Sequence, residues 1–228
     1  MAIQIQNLDL EEQEQLDQIK HFWNKWGNLI TWVLIVVLGA YAAWNGWQYW
    51  QRRQAAQASM LYTELERAAS AGDASRIERS LADMKDRYGG TWYAAEGSLA
   101  AAKALADKGQ MGPAKEALVW AADKSSDEGL RAIARLRLAS LQMGDKAYDE
   151  AAKTLAASFP LAFTALAADR RGDLLMLQGK RAEAATEYGK AYQGLGAEGG
   201  DYRRLVGIKL NALGIDPDAG AKPAGAAS

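Results

Sequence analysis

From Trp26 to Gln51 the chain runs 26 residues without a charged side chain, bounded by Lys25 on one side and by Arg52 and Arg53 on the other. A helix rises about 1.5 Å per residue, so a hydrocarbon core about 30 Å thick takes about 20 residues. Leu29 to Tyr49 supplies that length. Six of the eight tryptophans (Trp23, Trp26, Trp32, Trp44, Trp47 and Trp50) lie in or beside the run, where amphipathic rings favour the two headgroup zones. The pattern predicts a membrane helix over 27–50. A core helix of a soluble protein is usually shorter and lacks such girdles. Ala40-Tyr41-Ala42 has the form that signal peptidase accepts, but the segment upstream carries Asp9, Glu11, Glu12, Glu14 and Asp17 against two lysines. A signal peptide begins with a short, positive region, and here the apolar run continues past Ala42 to Trp50.

The rest of the chain reads differently. After residue 51 there are 25 Lys plus Arg against 23 Asp plus Glu, interspersed, so the domain lacks the clustered basic charge of a nucleic-acid interface. Its length allows one domain with a proper core. Runs such as Ala94 to Ala106 and Ala132 to Leu141 are built from strong helix formers. No segment alternates as a strand would, so the expected fold class is all-α. Ala55 to Ala71 and Ser75 to Tyr88 read as a helix pair joined at Gly72-Asp73, and Tyr202 to Leu213 as a closing helix stopped by Gly214. The stretch rich in Ala, Gly and Pro at 215–228 is expected to be disordered.

Catalytic chemistry has no foothold in the pattern. Cysteine is absent, which removes thiolate, zinc-thiolate and iron-sulfur chemistry, and His21 is the only histidine, set beside Phe22 and Trp23. One histidine without thiols builds no ligand set. Gly89-Gly90 and Gly199-Gly200 lack the strand, spacing and lysine of a phosphate loop. Asp127-Glu128 and Asp149-Glu150 sit near helix starts, where the helix dipole favours acids. The expectation is a protein that is not an enzyme, with no metal, no cofactor and no nucleic-acid partner.

The most specific signal in the soluble part is a recurrence of small residues. Ala102, Ala139 and Gly172 are each followed 12 positions later by Ala114, Ala151 and Ala184, and 16 positions later by the bulky Leu118, Leu155 and Tyr188. Another small residue follows at 19, namely Ala121, Ser158 and Ala191. The units stand 37 and then 33 residues apart. A small residue on each of two antiparallel helices lets the backbones approach, the bulky one fills the space beneath, and such pairs bury their apolar faces by stacking. The pattern resembles the tetratricopeptide repeat, most closely over Gly172, Leu175, Gly179, Ala184, Tyr188 and Ala191, with Ala168 and Leu175 where its first helix usually has aromatics. In such stacks the first helix of each pair lines a groove. In this register the lining would be Leu99, Lys103, Leu136, Ser140, Met143, Asp173 and Met176, a mixed surface suited to extended or partly unfolded chains.

On the membrane helix Gly39, Ala43 and Gly46 share one face that permits close helix contact. Just upstream, Leu16, Ile19, Trp23 and Trp26 form an amphipathic stripe for lipid or a partner. Several strings, in order, are similar to the YfgM family. They are Gly46-Trp47-Gln48-Tyr49-Trp50 after the membrane helix, Ser126-Asp127-Glu128 with Leu130-Arg131-Ala132 and Leu136-Arg137-Leu138-Ala139, Ala168-Asp169-Arg170-Arg171-Gly172-Asp173, and Lys209-Leu210-Asn211. This resemblance covers roughly residues 12 to 215 and leaves the tail from Asp216 outside.

The resemblance implies an ancillary subunit of the SecYEG translocon in the bacterial inner membrane. The arrangement it implies is a cytoplasmic segment 1–26, a transmembrane helix 27–50 and a periplasmic repeat domain 51–214. The partners implied are SecYEG, a PpiD-like periplasmic chaperone, newly exported polypeptides and the lipid bilayer. The charges do not fix this orientation, since Lys20 and Lys25 stand against Arg52, Arg53 and Arg67. The alternative on the residues is a repeat scaffold for envelope or cell-division assemblies.

Overall fold

The structure, a computed structural model, describes the backbone of residues 10–218 and the side chains of 16–218. The acidic side chains at Asp9, Glu11, Glu12 and Glu14 and the tail beyond Asp218 lie outside these. Among the described residues every regular element is helical. The helices are α1 (Leu10–Ala71), α2 (Ala74–Tyr88), α3 (Trp92–Asp107), α4 (Met111–Lys124), α5 (Glu128–Gly144), α6 (Tyr148–Leu155), α7 (Thr164–Leu177), α8 (Arg181–Leu195) and α9 (Gly200–Ala212). Short 3-10 turns stand at Leu161–Phe163 and Ala197–Gly199. Contacts divide the chain into two compact units, Met1–Arg53 and Gln54–Ser228.

The described residues of the first unit belong to a helix long and apolar enough to cross a membrane. Its large side chains, from Trp32 through Val37 and Leu38 to Trp44, are more than half exposed. A soluble protein would not leave such a face bare. Its polar groups bond within the helix. Thr31 Oγ1 donates to Gly27 O at 2.8 Å and Asn45 Nδ2 to Tyr41 O at 2.9 Å, as hydrocarbon demands of any group it surrounds.

In the second unit residues 54–71 of α1 pair with α2, burying Leu65 and Ala68 with Ile77 and Leu81. Then α3 pairs with α4, α5 with α6, and α7 with α8, while α9 covers α8. First helices also touch, α3 to α5 and α5 to α7, which makes the pairs a stack.

What sets the period is the turn inside each pair. After α1, α3, α5 and α7 the chain enters the left-handed region at Gly72, Gly109, Lys146 and Gly179, with φ of 68°, 77°, 60° and 76°. These positions are 37, 37 and 33 residues apart. Each closes the same two bonds, for example Gly109 N to Ala106 O at 2.8 Å and Gln110 N to Leu105 O at 2.9 Å, which satisfies carbonyls the helix end would leave open. The same pair of bonds ends α9 at Gly214. The turns place the first helix pair in register with the others, which the small-residue pattern does not reveal.

The starts of α3 and α5 are capped. Thr91 Oγ1 accepts from Ala94 N at 3.4 Å, and Asp127 Oδ1 from Leu130 N at 2.8 Å. One expectation fails at α6. Ser158 was to pack as the third small residue of its unit, but α6 ends at Leu155 and Ser158 is exposed. Pro160 disfavours helical geometry at Phe159, and the Ser158 carbonyl instead accepts from Arg135 Nη1 at 3.0 Å. The start of the supposedly disordered tail also has partners. Asp218 accepts from Tyr192 Oη at 2.8 Å and lies 3.6 Å from Arg203 Nη2.

Candidate interaction surfaces

The nine positions of the repeat signature (Ala102, Ala114, Leu118, Ala139, Ala151, Leu155, Gly172, Ala184 and Tyr188) are all buried. Their logic is plainest at Gly172. A Cβ there would stand 2.5 Å from the Tyr188 ring, so α7 and α8 can approach only because the position is empty. The mirror arrangement occurs in the first pair. At the corresponding places Leu65 and Ile77 are large and fully buried, and Gly97 on α3 supplies the missing space, since a Cβ there would stand 2.8 Å from Met84 Sδ.

The residues expected to line a groove separate into four groups. Leu99 and Met143 are 2% and 8% exposed and belong to the core, a correction to the groove expectation. Neighbouring residues on a helix are turned by about 100°, and the open positions are the next ones along, where Ala100 is half-buried and Gly144 exposed. Leu136 and Met176 are half-buried against the core. Lys103 is exposed and pairs with Asp107 at 2.8 Å, while Ser140 is half-buried and donates to Leu136 O at 2.9 Å.

Asp173 belongs to an ionic cluster that sequence reasoning missed. Lys209 of α9 reaches Asp169 Oδ1 at 2.7 Å and Asp173 Oδ1 at 2.6 Å. Asp169 is 1% exposed, and its second oxygen accepts from Tyr202 Oη at 2.7 Å. Tyr188 Oη donates to Asp173 at 2.8 Å, and Arg170 Nη1 to the other oxygen at 3.1 Å. Burial, then the hydrogen bond to Asp173, pushes the Tyr188 hydroxyl well above the ordinary tyrosine range. The same causes, with Asp169 as acceptor, act on Tyr202. Both hydroxyls therefore stay protonated as donors. The cluster joins two strings noted in the sequence, Asp169 to Asp173 and Lys209 to Asn211, and clamps α9 over the last pair. No short-range signal marks it, because its partners lie 36 and 40 residues apart.

Between α4 and α6, over α5, lies an open cleft of about 620 Å³ lined by Lys115, Val119, Trp120, Leu138, Gln142 and Glu150 among others. Lys115 bonds to Asp145 at 2.8 Å, and the Lys85 ammonium sits 5.4 Å from the Trp120 ring centre. Gly39, Ala43 and Gly46 of the first unit are exposed, and a Cβ at Gly39 or Gly46 would meet nothing within 4 Å. Among the described residues no group of three or more His, Asp or Glu is placed to hold a metal ion.

The sequence profile of a tetratricopeptide repeat-like domain matches residues 20–215. A Neisseria gonorrhoeae protein described as an ancillary SecYEG translocon subunit is 29% identical over 205 residues, 90% of this chain and 98% of that protein. An Escherichia coli protein of the same description is 33% identical over 134 residues, 58% of this chain and 63% of that protein. No solved structure matches. With its stacked helix pairs, a profile that spans both units and a relative matched along nearly its whole length, the chain belongs to the YfgM family of tetratricopeptide repeat-like proteins.

Proposed function

We propose that this chain is a non-catalytic adaptor of the SecYEG translocon, anchored in the inner membrane by helix 27–50, with residues 1–26 in the cytoplasm and the repeat domain in the periplasm. The observation that carries the reading is the match to a protein described as an ancillary SecYEG translocon subunit over 98% of that protein's length. The bare apolar helix of the first unit and the stacked second unit fit a tether bearing a docking platform.

The Gly39, Ala43 and Gly46 face is the contact proposed for the translocon. It has open space at both glycines, and small residues let membrane helices meet at close range. The row of first helices, with Lys103, Ser140 and the edges of Leu136 and Met176, is proposed to engage a PpiD-like chaperone or an emerging polypeptide. Holding such a surface near the exit raises the effective concentration of weak contacts to about the mM range for a short flexible link.

The test compares, by quantitative mass spectrometry after mild solubilisation of native membranes, what accompanies the full chain and a variant with an unrelated membrane helix over 27–50. SecYEG and the chaperone should be enriched only with the native helix. Envelope or division proteins in place of SecYEG would favour the scaffold alternative and defeat the translocon reading. A narrower variant, Gly39→Leu with Ala43→Leu, should weaken SecYEG recovery and leave the repeat fold unchanged. Unchanged recovery would remove this face from the proposal.

A further inference from the structure

Twice in the repeat domain a tyrosine, a carboxylate and a cation form one motif. Tyr188 bonds to Asp173, and Lys209 pairs with that carboxylate while lying 5.1 Å from the ring centre. Tyr192 bonds to Asp218, and Arg203 pairs with that carboxylate while stacking 3.8 Å from the ring centre. In both, an aromatic face and a negative charge converge on the same cationic group.

A third assembly has the rings and the carboxylates. Tyr62 on α1 and Tyr93 on α3 stand 5.9 Å apart between ring centres, and the half-exposed Trp92 meets Tyr93 edge-on at 5.5 Å. Each helix places a glutamate about one turn after its tyrosine, Glu66 on α1 and Glu96 on α3. Burial, then the negative charges of Glu66 and Glu96, push the Tyr62 hydroxyl upward, so both carboxylates act on this ring. Among the described residues no Lys or Arg nitrogen lies within 4.0 Å of either glutamate. Lys103, further along α3, is held by Asp107 at 2.8 Å. In the register of the turns, Glu66 occupies in the first pair the place that Asp173, the partner of Lys209, occupies in the last.

We propose that Tyr62, Tyr93, Glu66 and Glu96 form a seat for a lysine or arginine side chain of an extended partner polypeptide, the cation that the chain itself supplies at its other end. The occupant is a protein segment because the seat opens on the row of first helices, where Trp92 offers apolar surface to a neighbouring residue. The inference concerns the repeat domain alone and stands apart from any role at the translocon.

The experiment uses the full chain in maltoside micelles and a fluorescent peptide of alternating leucine and arginine, with citrulline replacing arginine in the control. Anisotropy should show the arginine peptide binding about tenfold more tightly than the citrulline peptide, with an advantage that salt reduces. Glu66→Gln with Glu96→Gln should erase the difference at unchanged melting temperature, and Glu150→Gln in the cleft between α4 and α6 should preserve it. Equal binding of the two peptides overturns the proposal, as does an advantage that survives in the double variant or no binding of the arginine peptide at mM concentration. Co-purification with the translocon is read separately, so either proposal can fail alone.

Discussion

The first and last helix pairs solve one packing problem in opposite ways. Both close the same left-handed turn, at Gly72 and at Gly179. In the last pair the small residues Gly172 and Ala184 sit on its own two helices and admit Tyr188. In the first pair those places hold Leu65 and Ile77, and the space for Met84 comes from Gly97 on the next pair. The turn geometry is constant, and the volume is redistributed across neighbours. A stack of this kind conserves total packing and leaves open which helix contributes the void.

The sharpest way to break the comparison is at the clamp on the last pair. Lys209→Ala would leave Asp169 charged, 1% exposed and without its cation, and should lower stability by about 3 kcal/mol. Chemical denaturation followed by circular dichroism measures this. Adding Asp169→Asn to a Lys209→Met background should recover most of the loss, and no recovery would mean that Lys209 acts mainly through packing.

The two glycines come next. Alanine gains about 1 kcal/mol over glycine inside a helix, yet Gly172→Ala drives a methyl into a stiff ring and should cost about 2 kcal/mol net. Gly97→Ala meets the thioether of Met84, which can move, and should fall within about 1 kcal/mol of the native chain. Equal losses from the two would refute the distinction between ring and thioether.

Lys146 offers a smaller effect in the opposite direction. It takes the left-handed conformation that glycine takes at the same place in the other pairs, so Lys146→Gly should stabilise by about 0.5 to 1 kcal/mol in thermal melts. The smallest prediction concerns acid. Burial tends to raise Glu187, but hydrogen bonds from Lys190 and Arg171, with their charges, outweigh it and hold the carboxyl below its ordinary value of 4.5. Its contribution is therefore fully present above pH 4.5 and is lost as pH falls through the lower folded value. Glu187→Gln should flatten that part of the stability profile and leave neutral pH less affected.

How far the sequence could be read follows the reach of each interaction. The apolar run, the stops at Gly72, Gly179 and Gly214, and the pairing of Gly172 with Tyr188 are local or periodic, and they were legible. The first pair was legible as two helices but its register was not, because that register is carried by a turn while its small and large residues are exchanged. Leu99 and Met143 were misplaced by one helical position, about 100° of rotation, which periodicity alone does not resolve. The Asp169 and Lys209 contact spans 40 residues, and nothing near either residue announces the other. The Tyr62 and Tyr93 seat joins two helices whose relation becomes clear only once the turns are aligned.

The clamp also sets an order on the birth of the molecule. A chain made from its N-terminus can complete its early pairs as they emerge. Until α9 has been added, Asp169 lacks both Tyr202 and Lys209, and Val206 and Leu210 are missing from the core that α9 shares with the last pair, so the final pair stays incomplete. Stop codons that remove only the last helix should therefore unsettle a repeat whose own residues are all present, and quality control would find the defect there and not at the missing end.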